Sequence, residues 1–541
     1  MSAEPLAIDP NDSLTEARDT VTIARNAAIV SLGKGISLVL GLARESVKSA
    51  FFGAGAVVDA FNIAQLVPRN LFDLLVGGLV NSALVPIFSE LRHENQQRLW
   101  GLVSALLSLI VVVTSAIVLI TQLLPTQVAF LLSVSAPAET LSQAGHLLRI
   151  TSSALVFLSI AAVLSGLLYS FERFFFPAFI SAIYNAAMVG ATILWHDQLG
   201  IASMAVGLLI GSILQVLLLL PGLRGMRIWS SLKLYHPEMR RVLILYTPIV
   251  IGLVIDVLVA RLVSYNLATY TTGEGGISWM EYATTLRQFP QGLVATAISF
   301  AVLPTLSMFA AAESSDASSR DAFKATLARG IRLTLVLIIP ATIGLFVLAV
   351  PTVQLLFEWG ASTPYDTQVT ATALQLYLLG LPFAAVDLLL VFTFYSRQDT
   401  LTPALIGVYT IVFYLALAII LIEPFGLYSL MIADSVKLLL HMLISAVLLL
   451  RQIGSMQEHG IMRTTLLTCT AAAVMGGVAY GISWSVTQIL PGTGLLDEGL
   501  RVFLPALVGA GLYFGLMNAL KVEEVNWFWT LLRQRLFPDA P

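Results

Sequence analysis

Fourteen stretches of this 541-residue chain are mostly apolar for about twenty residues or more, and this limits the fold before any motif is considered. They lie near 27–52, 58–90, 99–124, 143–170, 176–196, 200–222, 241–268, 278–310, 325–350, 368–396, 402–422, 427–450, 464–489 and 502–520. In hydrocarbon no water can satisfy a bare backbone, so each stretch is expected to cross as a helix. The fold class that follows is an all-α polytopic membrane protein with about fourteen spans. Charged residues make up 11% of the chain and its mean hydropathy is +0.87, against roughly 25% charged in soluble domains. Direction comes from the connections. One set carries Arg92, Arg98, Arg173, Arg224, Arg227, Lys233, Arg240, Arg320, Lys324, Arg397, Arg451 and Arg463; the alternate set carries Asp197, Glu274, Glu358, Asp366, Glu423, Asp497 and Glu498. Basic loops stay inside, so both termini are expected in the cytoplasm.

The same reading excludes several classes. A net charge of −3 with no basic tail gives nucleic acid nothing to bind. The single cysteine, Cys469, supports neither a disulfide framework nor a cysteine metal site. No HExxH, phosphate loop or Ser/His/Asp grouping is present, so neither an enzyme nor a cofactor is expected. Residues 1–26 are polar and acid-rich, without the basic-then-apolar order of a signal peptide, and read as a cytosolic tail. Residues 525–541 read as a short amphipathic helix on the inner membrane face.

Two motif pairs reveal a duplication. ALVPIFS (83–89) is matched by AVLPTLS (301–307), and YSFERFFFPA (169–178) by YSRQDTLTPA (395–404), at offsets of 218 and 226 residues. Two six-helix halves are therefore expected, 27–222 and 241–450, joined by a basic cytoplasmic linker at 223–240. Residues 464–520 add two further helices. Six is even, so the halves run in parallel topology about an axis along the membrane normal. Transporters of this kind place substrate at the repeat interface.

Seven charges between residues 34 and 73 fall on the first two apolar segments: Lys34, Arg44, Glu45, Lys48, Asp59, Arg69 and Asp73. Each costs at least about 2.5–3.5 kcal/mol at bilayer depth, so they must face protein or a wet cavity. Segments seven and eight, their counterparts by symmetry, add Asp256, Arg261, Glu281 and Arg287. Arg44, Arg261 and Arg287 lack an obvious local partner and read as ligands for an anionic substrate, because Arg presents a bidentate fork to phosphate. Arg69 and Asp73, four apart, read as a pair on one helix face. Lys34 can snorkel to the inner interface. A second group, Asp387 with Asp434, Lys437 and His441, could hold Na⁺ or relay a proton. Asp434 and Lys437 are three apart and read as an ion pair, which leaves Asp387 and Asp256 as the stronger coupling candidates.

Several stretches carry a resemblance: LGLARESVKSAFFGAGAVVDAF (40–61), VPRNLFDLLVGGLVNSALVPIFSEL (67–91), ISWMEYATTLRQFPQGLVATAISFAVLPTLS (277–307), LFEWGAS (356–362) and FYSRQDTLTPA (394–404). On these the chain resembles the MurJ/MviN family of lipid II flippases, within the multidrug/oligosaccharidyl-lipid/polysaccharide exporter superfamily. The resemblance implies export of an undecaprenyl-pyrophosphate-linked glycan across the bacterial cytoplasmic membrane. The headgroup would enter a cationic cavity and the lipid tail would lie beside helices 13–14. Arg44 and Glu45 match the family's cavity arginine and its neighbouring acid, and Asp59 its outer aspartate. Where the family pattern carries further charges, this chain reads Leu38, Phe72-Asp73, Gly77-Gly78, Thr284-Thr285 and Gln288. The expected partners are the lipid-linked glycan, membrane lipid, Na⁺ or H⁺, and cell-wall synthesis proteins. The alternatives are another lipid-linked oligosaccharide as cargo, or a transport-inactive scaffold.

Overall fold

The computed structural model describes residues 10–72, 80, 84–226, 235–253, 260–312, 317–490, 492 and 494–525, with the backbone alone at 10–28, 71, 245, 248–253 and 317. Asp73, Gly77-Gly78, Asp256, residues 227–234 of the basic linker and residues 526–541 lie outside the described set, as do the first nine residues. Among the described residues every regular element is helical. In order they are α1 (Pro10–Phe52), α2 (Ala56–Phe72), α3 (Val85–Glu94), α4 (Gln96–Leu123), α5 (Pro125–Leu132), α6 (Ala138–Ser170), α7 (Phe175–Ala178), α8 (Ile180–Leu199), α9 (Ala202–Leu219) and α10 (Met239–Leu253). They continue as α11 (Arg261–Thr272), α12 (Gly276–Pro290), α13 (Thr296–Ala312), α14 (Ala317–Val347), α15 (Ala349–Phe357), α16 (Pro364–Leu378), α17 (Leu381–Ser396), α18 (Leu401–Phe425), α19 (Tyr428–Ile453), α20 (Ile461–Ile489) and α21 (Leu495–Ala519). A π turn at Gln291–Ala295 joins α12 to α13 after Pro290, where the proline lacks the N–H that a regular turn needs.

Nine described helices are long and apolar enough to cross a bilayer, or ten if α16 and α17, bent by 44°, form one broken span. They match the third, fourth, sixth and eighth to fourteenth apolar segments. The other four segments, the first, second, fifth and seventh, are helical where described and do not meet the same test. Outward faces are greasy rather than polar. On α18 the exposed residues include Leu405, Tyr409, Val412 and Ile419, while Ile406, Thr410, Tyr414 and Ala418 are buried. Helical spacing thus separates a lipid face from a protein face.

The chain forms two compact units that interleave along the sequence. The first comprises residues 1–44, 63–131 and 142–253. Its core joins α3, α4, α6 and the end of α9 through Phe88, Leu102, Leu106, Leu164, Leu168 and Leu219. The second comprises 45–62, 132–141 and 254–541. Here α14 packs against α13, α17 and α20, α18 against α19, and α20 against α21. Arg332 on α14 ties down the segment after α21, with Nε 2.5 Å from Glu524 and Nη1 donating to the His459 carbonyl at 2.7 Å. Because α1 passes from one unit to the other between Arg44 and Glu45, the turn between α1 and α2 belongs to the second unit.

Backbone geometry repeats at the second motif pair. Glu172 and Gln398, 226 residues apart, both adopt left-handed φ, 59° and 62°. The amide of Glu172 donates to the Tyr169 carbonyl (3.0 Å) and that of Arg173 to Leu168 (2.9 Å); Gln398 donates to Tyr395 (2.9 Å) and Asp399 to Phe394 (3.0 Å). Ser170 and Ser396 bond the carbonyls of Leu167 and Thr393, both at 2.7 Å. The two YS motifs therefore end their helices with one Schellman-type turn. Pro125-Thr126 in α5 and Pro351-Thr352 in α15 share the 226-residue offset, a third correspondence.

Candidate functional site

The α1–α2 turn reads FGAGAVVDA, and its first glycine has a steric reason. Gly53 (φ +68°) passes so close to the Ala361 carbonyl that a Cβ would sit 2.8 Å from its oxygen. Gly360 (φ +61°) approaches Ala50 more closely still, and its Cβ would lie 2.2 Å from the Ala50 oxygen. The Ala361 amide then donates to that oxygen at 2.8 Å, and Ser49 Oγ to the Phe357 carbonyl at 2.8 Å. Two motifs far apart in the chain, FGAG and FEWGAS, are thus one backbone interface.

Beside it Asp59 caps a helix that is not its own. Its Oδ2 accepts from the Gly275 amide (2.7 Å), and Oδ1 from the Ser278 amide (2.9 Å) and hydroxyl (2.5 Å). Gly275 is the left-handed N-cap of α12 and brings no side chain to these donors. A carboxylate here satisfies orphan amides and meets the positive end of the helix dipole. Around it Lys48 pairs with Glu45 (2.5 Å), donates to Asn62 Oδ1 (3.2 Å) and sits over the Tyr282 ring, 5.1 Å from its centre. Asn62 reaches Ser278 Oγ at 3.4 Å, and the Tyr282 hydroxyl donates to the Gly53 carbonyl at 2.7 Å. Lys48 is 1% exposed, Asp59 2% and Asn62 0%, so the network is sealed from solvent.

The other expected site residues separate into clusters. Within the first unit, Arg44 Nη1 donates to Asn185 Oδ1 (3.0 Å), and Asn185 in turn holds the Ser37 carbonyl (3.3 Å). Lys34 is exposed on α1 and Arg69 half-buried on α2. Within the second unit, Arg261 is half-buried at the start of α11. Arg287 pairs with Asp434 on α19 and stacks over Tyr377, 4.8 Å from the ring centre. Lys437 lies 2.9 Å from the other Asp434 oxygen, the expected i,i+3 pair. Two cations against one carboxylate leave this cluster with one surplus positive charge. Glu281 accepts from the Tyr265 hydroxyl at 2.6 Å. Asp387 on α17 meets His441 and Ser445 on α19.

Sequence reasoning did not find the roles of Asn62, Ser278 and Tyr282. Asp59 and Asn62 are three apart on one helix face, and Ser278 follows the Gly-rich GEGG turn; those spacings were the available signal. Also in the second unit is an apolar cavity of about 1280 Å³, lined from α14, α16, α17, α19 and α20 by residues such as Leu335, Phe346, Val386, Leu390, Met442 and Cys469.

A protein-family model described as lipid II flippase MurJ matches residues 48–496. The chain belongs to that family. Lipid II flippase MurJ of Burkholderia cenocepacia is 28% identical over 503 residues, covering 89% of this chain and 94% of its own length. The probable lipid II flippase MurJ of Bdellovibrio bacteriovorus is 29% identical over 523 residues, covering 94% and 97%. Among solved structures, a lipid II flippase MurJ in an inward closed conformation superposes with TM-score 0.75 at 24% identity, over 90% of this chain and 99% of that one. An inward-facing multidrug resistance MATE family transporter of the MOP superfamily gives 0.66 at 12% identity, over 78% and 96%. The fold is therefore that of a polytopic MurJ-family protein, placed by its relatives and its apolar helices in a bacterial inner membrane. Lys34, Arg44 and Glu45 precede the residues that the MurJ family model matches.

Proposed function

We propose that this protein carries lipid II, a polyprenyl-pyrophosphate-linked peptidoglycan precursor, from the cytoplasmic to the outer leaflet by alternating access. Family membership over residues 48–496 supports the cargo. The observation that carries the mechanism is the Asp59 latch, in which a carboxylate from the first sequence half caps α12 of the second. Such a cap is strong when dry and exchangeable with water when opened, which suits a gate better than an apolar seam.

In this reading the sequence halves 27–222 and 241–450 rock against each other, linked by 223–240, with both termini cytoplasmic and 1–26 and 525–541 as tails. The pyrophosphate is met by Arg44, Arg69, Arg261 and Arg287, assisted by the surplus charge beside Asp434, while Lys34 gathers anionic headgroups at the entrance. Glu45 and Asp59 act as gate residues rather than direct ligands. The prenyl tail, with α20 and α21 (464–520) as its platform, uses the apolar cavity, whose volume and lining suit a hydrocarbon chain. Membrane lipid surrounds the protein, an H⁺ or Na⁺ gradient drives return, and cell-wall synthesis proteins take the product. The chemistry is transport without catalysis.

The test is rescue of a bacterium depleted of its own lipid II flippase. Rescue by the wild type, and failure of the folded Arg44→Ala, Arg261→Ala and Arg287→Ala triple variant, is the expected result. Full rescue by the triple variant would refute the arginine assignment. Accumulation of a different lipid-linked sugar in a deletion strain, with no rescue, would shift the cargo to that glycan.

A further inference from the structure

One buried polar cluster of the second unit is absorbed by neither the latch nor the arginines. Asp387 is the sole ionisable side chain of α17 between Leu381 and Phe394. Its Oδ1 lies 2.7 Å from Nδ1 of His441 and accepts from Ser445 Oγ at 3.0 Å. Ser445 Oγ is also 3.3 Å from His441 Nδ1, so the three groups close a triangle. Asp387 is 9% exposed and Ser445 0%. Among the described residues, the ion-pair partner of Asp387 is this histidine and not a Lys or Arg. Asp434, two turns away from His441 on α19, differs in having Arg287 and Lys437 as permanent counter-ions.

That difference decides the chemistry. With His441 neutral, the Asp387 cluster holds one uncompensated negative charge inside an apolar seam, which is costly. Uptake of one proton at Nε2 turns the imidazole into an imidazolium still bonded through Nδ1 to the carboxylate. The cluster then passes from −1 to 0 without moving a heavy atom. A sodium ion would need several oxygen ligands, and the cluster offers a carboxylate, one hydroxyl and an imidazole.

We infer that Asp387, His441 and Ser445 form a proton-binding site whose occupancy is linked to the transport cycle, an inference that rests on the transport reading above. Other ionisable groups stand on the helices around this pair. On α17 the neighbouring ionisable group is Tyr395. α13 and the π turn, both packed on α17, have none. Tyr377 of α16 is engaged by Arg287, and Tyr414 of α18 bonds Ser264 of α11 at 2.6 Å; α16 also carries Tyr365 and Asp366, and α18 Tyr409 and Glu423. α14 contributes Arg320, Asp321, Lys324, Arg329 and Arg332, the last committed to Glu524. α11 adds Arg261, Tyr265 and Tyr270.

The route to the gate is a chain of direct contacts. Asp434, Lys437 and His441 stand at i, i+3 and i+7 on one face of α19. Asp434 grips α12 through Arg287, and α12 is the helix that Asp59 caps. A charge change at His441 therefore acts on α19, and α19 on the latch helix.

The test uses the full-length protein in lipid nanodiscs with ¹⁵N-labelled histidines, His441→Gln identifying the His441 signal among the six. The His441 ring signals are expected to change as the proton is taken up, and the pH at which they change is expected to shift in Asp387→Asn, which removes the anionic partner. In liposomes containing lipid II, wild-type transport is expected to vary with pH, and His441→Gln to lose that pH dependence. A midpoint unchanged in Asp387→Asn, no titration between pH 5 and 9, or an unchanged pH profile in His441→Gln would each overturn the inference. Should the wild type move no lipid II, the cargo reading fails, and the histidine titration still decides whether the site binds a proton.

Discussion

Replacing Asp59 with Asn should loosen the gate by an amount that the geometry sets. The carboxylate accepts three hydrogen bonds, at 2.7, 2.9 and 2.5 Å, while 2% exposed. Asn keeps one acceptor oxygen. It can satisfy Ser278 through that oxygen, but then turns an NH₂ toward the Gly275 amide, donor against donor. At least one charge-assisted bond is lost and the remainder weaken to neutral ones. With bonds to charged groups worth about 1.5–3 kcal/mol and neutral ones about 1, the closed gate loses roughly 2–4 kcal/mol. Relief from burying a charge offsets part of this, so the lower end is expected. About 2 kcal/mol corresponds to roughly a 30-fold rise in the open fraction. The assay is alkylation of a cysteine placed at Ala60, fully buried on the same helix, in a Cys469→Ser background. Its maleimide labelling rate should rise by about that factor in Asp59→Asn. An unchanged rate in a folded variant would refute the reasoning.

Further outcomes follow from other contacts. Asp434→Asn, which leaves Arg287 and Lys437 facing each other without their carboxylate, should destabilise the protein by about 3–5 kcal/mol. Arg287→Met leaves Asp434 still paired and should cost less; thermal unfolding in detergent ranks the two, and the reverse order would contradict the cluster's charge count. Gly360→Ala places a methyl against the Ala50 carbonyl at a left-handed φ, so it should lower the unfolding temperature clearly, whereas Gly407→Ala, with open space around it, should not. Glu172→Gly and Gln398→Gly remove a β-carbon from left-handed turns and should each stabilise by up to about 1 kcal/mol, read as parallel rises in unfolding temperature. Coupling a bulky maleimide to Cys469 on the cavity wall should slow transport of a long-chain substrate more than of a short-chain analogue.

Apolar run length and loop charge made the helices legible, because in a bilayer the solvent dictates the backbone. The repeat was legible because it was written twice: YS at 169 and 395 closes its helices with one turn. Partners of the charged residues were not. Pairing rules see three or four residues along a helix, so Asp434–Lys437 was visible. Arg287 was left without a partner because Asp434 is 147 residues away, and Asp59 could not be matched to Gly275 and Ser278 across more than 200. Nor does the sequence distinguish a charge placed for substrate from one placed for a gate: Glu45 and Asp59 both face a lysine-centred network that only the tertiary structure assembles. Asp256 lies outside the described residues, so its role rests on sequence alone.

The central claim is that lipid II moves only when the Asp59 latch opens. Cysteines at Asn62 and Ser278, whose side chains touch at 3.4 Å, permit the latch to be locked by oxidation and freed by reduction in a Cys469→Ser protein reconstituted with labelled lipid II. Headgroup transfer across the membrane is expected to proceed in the reduced protein, to stop on oxidation and to recover with reductant. Transfer at the full rate in the cross-linked protein, or none in the folded wild type, would contradict it.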